Sequence, residues 1–233
     1  MDDSDVLDFS DILASTMHDT KNSLGMLYHT LEAMIGRCQE RGCPVQKDHY
    51  LLQYELRRLN HNSIRMLSLY KAKKAKFPIS LDYHSVGDCL DEAIIVNEPL
   101  LSSKGVDIEL ECPTDLFWSF DRELIMGILD SVLNNEYLYT KDRLTVSAGS
   151  KDGYLVIQLE DNGPGYPEYF LMDSREKSGS AGSHVSFLTG STGLGLYFSA
   201  LVAKSHTKEG REGFIRTMNG GRYNGSVFTL HLP

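Results

Sequence analysis

The stretch Tyr154-Leu155-Val156-Ile157-Gln158-Leu159-Glu160-Asp161-Asn162-Gly163-Pro164-Gly165 decides how the chain folds. Its first seven residues alternate as a β-strand does, and the glycine-bracketed proline after them forces the backbone to turn sharply. Other alternating segments lie on both sides, at Val106 to Leu110, Leu144 to Ala148 and Ser226 to Leu232. Between them run helical patterns, at Val86 to Leu101, Arg122 to Tyr139 and Leu194 to Lys204. This mixture predicts an α+β domain, an α/β sandwich in which helices cover one face of a mixed sheet.

Upstream the period changes. Leu13, Met17, Thr20, Leu24, Leu27, Leu31, Met34 and Cys38 are spaced alternately four and three apart, the seam of a long helix in a bundle. Arg41-Gly42-Cys43-Pro44 ends it, because Gly suits the left-handed cap and Pro cannot continue a helix. A second seam, Leu52, Leu56, Leu59, Ser63, Met66 and Tyr70, runs into the basic stretch 71–76 before Pro78. Two helices bury little core alone, so the hairpin is expected to pair with a second copy in a dimeric four-helix bundle. The expected domains are residues 1–77 and 78–233.

At 233 residues the chain has room for two such domains, with 41% hydrophobic and 24% charged residues as in ordinary globular proteins. The net charge of -9 opposes binding to nucleic acid, and no apolar run approaches the roughly 20 residues that span a bilayer. The acidic start Met1-Asp2-Asp3-Ser4-Asp5 lacks the pattern of a signal peptide, so a cytoplasmic location is expected. Cys38, Cys43, Cys89 and Cys112 lack metal-binding spacing and read as reduced, mostly buried thiols.

Three segments of the second half together fit a nucleotide site. Asp161 can accept a hydrogen bond from an exocyclic amine such as that of adenine, and Gly163 and Gly165 let the backbone approach a ligand. In Gly190-Ser191-Thr192-Gly193-Leu194-Gly195-Leu196 the glycines leave backbone N–H groups free at a helix start, a cradle for phosphates. Asn135, late in a helix, offers an amide oxygen to Mg²⁺.

The order of these segments resembles the N, G1 and G2 boxes of the ATP-binding fold shared by histidine kinases, DNA gyrase, mismatch-repair ATPases and a heat-shock chaperone family. Met17-His18-Asp19-Thr20-Lys21-Asn22-Ser23-Leu24 resembles the phosphoacceptor H box of two-component histidine kinases. The resemblance implies autophosphorylation of His18 by Mg·ATP, with Asp19 in the general-base position and Asn22 matching a residue that positions water for dephosphorylation. It further implies nucleotide contacts from Asn135, Tyr139, Asp161, Gly163, Gly165, Thr192, Gly193, Leu194, Gly195 and Leu196, with Asn135 as the magnesium ligand. A homodimer and a response-regulator receiver domain that takes the phosphoryl group are the implied partners. No sensory module is read in these residues, so either a separate sensor protein that binds the chain or an excised core of a longer protein is expected.

Several positions depart from the family pattern. Ser23 replaces a frequent proline, Ser131 a frequent asparagine, Glu136 a small residue and Leu138 a basic one. The polar stretch from Asp173 to His184 reads as a mobile lid, with Tyr169 and Phe170 in place of a phenylalanine pair. These departures motivate an alternative from another class, a non-catalytic dimeric regulator that keeps the fold and controls partner binding.

Overall fold

The computed structural model describes residues 9–40, positions 52, 54–56, 59 and 63, and residues 79–175 and 194–233. The chain divides into two compact units, Met1–Phe77 and Pro78–Pro233.

In the first unit, helix α1 spans Phe9–Glu40. Ile35 is buried within this unit, as are Tyr54 and Ser63, whereas the seam residues Leu27, Met34, Leu52 and Leu59 are exposed in the single chain. The remainder of the second expected seam, and the turn around Gly42, lie outside the described residues.

The second unit is built on a six-stranded mixed sheet in the order β2 (Asp107–Glu111), β4 (Arg143–Lys151), β5 (Tyr154–Asp161), β10 (Gly225–Leu232), β9 (Phe214–Gly220) and β6 (Met172–Asp173). Among the described residues, only the β2–β4 pair of this sheet is parallel. Helix α3 (Arg122–Tyr139) packs against both α2 (Val86–Ser103) and α4 (Leu194–Ser205), and α2 and α4 pack on the sheet. Strands β1 (Asp82–Ser85) and β3 (Phe117–Phe120) form a separate ribbon, and β7 (Thr207–Lys208) pairs with β8 (Arg211–Glu212). This is the α+β architecture expected from the alternating and helical segments.

Side chains alternate across a strand, so Leu155, Ile157 and Leu159 share one face of β5 and are all buried. Asp161 continues that series and therefore lies on the same face as the apolar core. Helix α3 begins at an Asp121 cap, whose carboxylate accepts from the N–H of Leu124 at 3.1 Å and from that of Ser80 at 2.9 Å. Ser85 caps α2 in the same manner.

Two expectations need correction. Asp173 belongs to strand β6, not a loop; two residues are too few to show a period, and tertiary pairing with β9 makes the strand. Its carboxylate bonds Arg175 and Arg216, which hold it well below the usual carboxylate range. Of the three described cysteines only Cys89 is buried; Cys38 and Cys112 are half-buried, Cys112 because it follows β2 at the sheet edge. All three are free thiols.

Candidate functional site

Asp161 ends β5 and is 2% exposed. Its Oδ1 accepts from the N–H groups of Gly163 and, at 3.4 Å, Ser226, while Oδ2 accepts from the Ser226 hydroxyl. Ser226 stands on β10, the strand paired with β5, so the register of the sheet brings this partner to the carboxylate. Nothing in the local sequence pointed to it.

The turn after Asp161 is tightly packed. A side chain at Gly163 would collide with the Tyr139 carbonyl and the Asp161 carboxylate, and one at Gly225 with the Asp161 backbone. Gly165 has φ +82 and lies against the Asn219 side chain, which accepts from the Tyr166 N–H at 2.6 Å and donates to its carbonyl at 2.8 Å. Asn162 pins the turn from the other side. It accepts from the Asp142 and Arg143 N–H groups, both at 3.1 Å, and donates to the Asp142 carboxylate at 2.6 Å.

The last turn of α3 meets this turn. Asn135 and Tyr139 are exposed there, and so is Leu138, while Asn134 and Glu136 are buried. The carboxyl of Glu136 accepts from the Thr140 hydroxyl and lies in the field of the Asp161 carboxylate. Burial, and then the neighbouring Asp161 charge, push Glu136 up to about 8. Lys104 Nζ donates to the carbonyls of Tyr137 and Thr140 at 2.7 and 2.6 Å, closing the negative end of the helix. Burial raises the nearby Tyr166 hydroxyl well above the usual phenol range. Glu136, Tyr166, Ser226 and Lys104 were not singled out as site residues; only the tertiary contacts reveal them.

The structure thus brings Asp161, Gly163 and the end of α3 together. Gly195 and Leu196 lie half-buried in the first turn of α4, where the Ser199 hydroxyl donates to the Gly195 carbonyl at 2.9 Å. Leu194 opens that helix, and Thr192 and Gly193 lie outside the described residues, as does the lid beyond Arg175. His18 and Asp19 fall within α1, one helical turn before the exposed Asn22. Tyr169 and Phe170 form a short 3₁₀ turn with ring centroids 4.6 Å apart.

A buried carboxylate acceptor, a turn where any Cβ would intrude and an exposed amide oxygen fit a purine triphosphate with a hard cation. Among the described residues no group of three or more His, Cys, Asp or Glu could hold a metal ion.

No family model matches the chain. A probable sensor histidine kinase of Mycobacterium tuberculosis is 26% identical over 167 residues, covering 72% of this chain and 42% of that protein. The sensor protein PhoQ of Escherichia coli O157:H7 is 27% identical over 143 residues, covering 61% of this chain and 28% of that protein. The chain thus spans less than half the length of either relative. Among solved structures, the catalytic domain of histidine kinase ThkA superposes with a TM-score of 0.54 at 20% identity, over 66% of this chain and 95% of that one. Full-length ShkA in complex with AMPPNP gives 0.60 at 17% identity, over 96% of this chain and 45% of that one.

These likenesses define the class: the fold is that of histidine-kinase catalytic domains. The homologues of this chain are sensor histidine kinases. No helix among the described residues is long and apolar enough to cross a membrane.

Proposed function

We propose that the chain is the catalytic core of a two-component histidine kinase, in which Mg·ATP phosphorylates His18. The observation that carries this reading is the buried Asp161 carboxylate at the end of β5, set beside a glycine turn in a histidine-kinase fold, in a chain whose upstream helix carries His18. Asp161 and the glycine turns at Gly163 and Gly165 receive the nucleotide, with Tyr139 beside the base and the Thr192 to Leu196 segment at the phosphates. Asn135 offers its amide oxygen to Mg²⁺.

In the reaction, a nitrogen of the His18 imidazole bonds to the γ-phosphorus of ATP, the bond to the β-phosphate oxygen breaks, and ADP leaves. Asp19 accepts or orients the imidazole proton, and positioning supplies most of the catalysis. The phosphoryl group then passes to an aspartate of a separate receiver protein, and Asn22 fits a role in removing it again. The exposed seam of the first unit, Leu27, Met34, Leu52 and Leu59, supports the reading of residues 1–77 as a dimerisation hairpin, because pairing two hairpins would cover these side chains. Residues 78–233 are then the ATP-binding domain.

Incubation with Mg²⁺ and γ-labelled ATP tests the proposal. Wild type is expected to gain acid-labile, base-stable label that His18→Gln and Asp161→Asn both abolish. A second reading, a non-catalytic regulator, draws on the exposed Leu138 where a cation is usual and on the buried Glu136. ATP binding without label on wild type would favour it.

A further inference from the structure

Glycine has the freest backbone of any residue, so a turn built on Gly163 and Gly165 must be ordered either by the fold or by its ligand. The Asp161 carboxylate and Asn162 hold the start of this turn. Its end is held from strand β9. The Asn219 amide sets an oxygen against the Tyr166 N–H at 2.6 Å and an N–H against the Tyr166 carbonyl at 2.8 Å, as a neighbouring strand residue would. The same oxygen lies 2.7 Å from where a Cβ at Gly165 would stand. Thr217, two residues back on the same face of β9, bonds the Phe170 carbonyl and accepts from the Met172 N–H at 3.0 Å. Side chains of one strand therefore tie both ends of the segment 166–172.

The hairpin that carries Asn219 is fastened independently of the turn. Arg222, in the β9–β10 connection, pairs with Glu111 at 2.7 and 3.0 Å, and its N–H donates to Glu160 at 3.2 Å. The Tyr223 hydroxyl lies 2.9 Å from that of Thr145. Across the ladder, Ser226 is the direct partner of Asn219 and bonds Asp161. One rung thus holds both limbs of the turn, Ser226 the carboxylate before it and Asn219 the peptide after it.

We propose that Asn219 is a positioning residue for the nucleotide: through Tyr166 it fixes the glycine turn in the shape that receives the ligand, and so sets affinity without touching the reacting atoms. This rests on the reading of the site as a nucleotide site. A side chain that served stability alone would change the amount of folded protein and leave the affinity of the folded fraction as it was. One that orders the turn in advance lowers the cost of binding, which shows in Kd and in the half-saturating ATP concentration but not in the rate at saturation.

Calorimetric titration of the full chain with Mg·ATP, beside the labelling rate as a function of ATP concentration, tests the assignment. Asn219→Ala loses both bonds to Tyr166 and is expected to bind Mg·ATP about tenfold more weakly than wild type, with the labelling rate at saturation within about twofold. Its Tyr166 N–H should exchange with solvent faster than in wild type and slow again at saturating Mg·ATP. Asn219→Asp keeps the shape but sets an oxygen against the Tyr166 carbonyl, so it should bind at least about threefold more weakly than wild type. Arg222→Met breaks the ion pair elsewhere on the same hairpin and should keep wild-type affinity within about twofold. Wild-type affinity in Asn219→Ala, an equal weakening by Arg222→Met, or a slower rate at saturation with affinity unchanged would overturn the assignment. Should Asn219→Ala not fold, wild-type affinity in Asn219→Asp would overturn it. Failure of wild type, shown folded by cooperative thermal unfolding, to bind Mg·ATP would instead remove the nucleotide reading beneath it.

Discussion

Helix α3 carries a buried acid at each end, and the two are held in opposite ways. Asp121, at the N-terminus, accepts from two backbone N–H groups and sits at the positive end of the helix dipole. Its own N–H donates to His206 Nε2 at 3.0 Å, tying the cap to the residue after α4. Glu136 sits near the negative end, out of water and against a second carboxylate. Stability explains the first acid. It does not explain the second, which burial and the helix dipole both oppose, and such residues gather at functional sites.

The largest expected difference between the two ends concerns pH. Glu136 titrates at about 8 in the folded chain against 4.5 unfolded. Folding therefore favours its protonated form; that stabilisation is complete below 4.5 and is lost as pH rises through about 8. Denaturant unfolding of wild type and Glu136→Gln should diverge between pH 5 and 8, wild type losing on the order of 4 kcal/mol relative to the variant. Parallel curves would mean that Glu136 is not a buried acid.

Next in size is Gly163→Ala, which drives a methyl group into the Tyr139 carbonyl where the C-terminus of α3 meets the turn. A loss of about 3 kcal/mol is expected by denaturant unfolding, together with lost nucleotide binding. Asp121→Ala removes the cap at the other end and should cost about 2 kcal/mol while leaving nucleotide affinity nearly unchanged in the folded fraction. If Asp121→Ala also weakened binding, the division into a structural and a functional end would fail. The smallest effect belongs to Lys104→Met, about 1 kcal/mol from the loss of two bonds to the last carbonyls of α3. It should also raise the Glu136 titration further, since the Lys104 charge favours the ionised carboxylate.

Local periodicity made most of the fold legible. The expected helix Arg122 to Tyr139 coincides with α3, and the strand at Tyr154 to Glu160 stops one residue short of β5. Strand β9 escaped, because Phe214, Ile215 and Thr217 are all buried and leave no clean alternation. The short strands β1, β3, β6, β7 and β8 escaped because two to four residues carry no period. Within the site, Asp161 and the glycines were legible as types of residue with few other uses in that order. Glu136 was noticed only as a departure from a small residue.

By itself, the sequence determined where the chain changes from helical to mixed periodicity, the course of α3 and the approximate places of α2, β4 and β5, and that a carboxylate followed by a glycine turn ends a strand. These follow from local steric preference and from the two repeat lengths of regular structure. Only the tertiary structure decided that Ser226, Tyr166 and Glu136 converge on that carboxylate. They are 5 to 65 residues from Asp161 in the chain, and their meeting depends on the register of β10 against β5 and on where the last turn of α3 ends. The chemical state of Glu136 comes from that convergence, because a carboxyl group keeps its proton only when burial and a second charge make losing it costly.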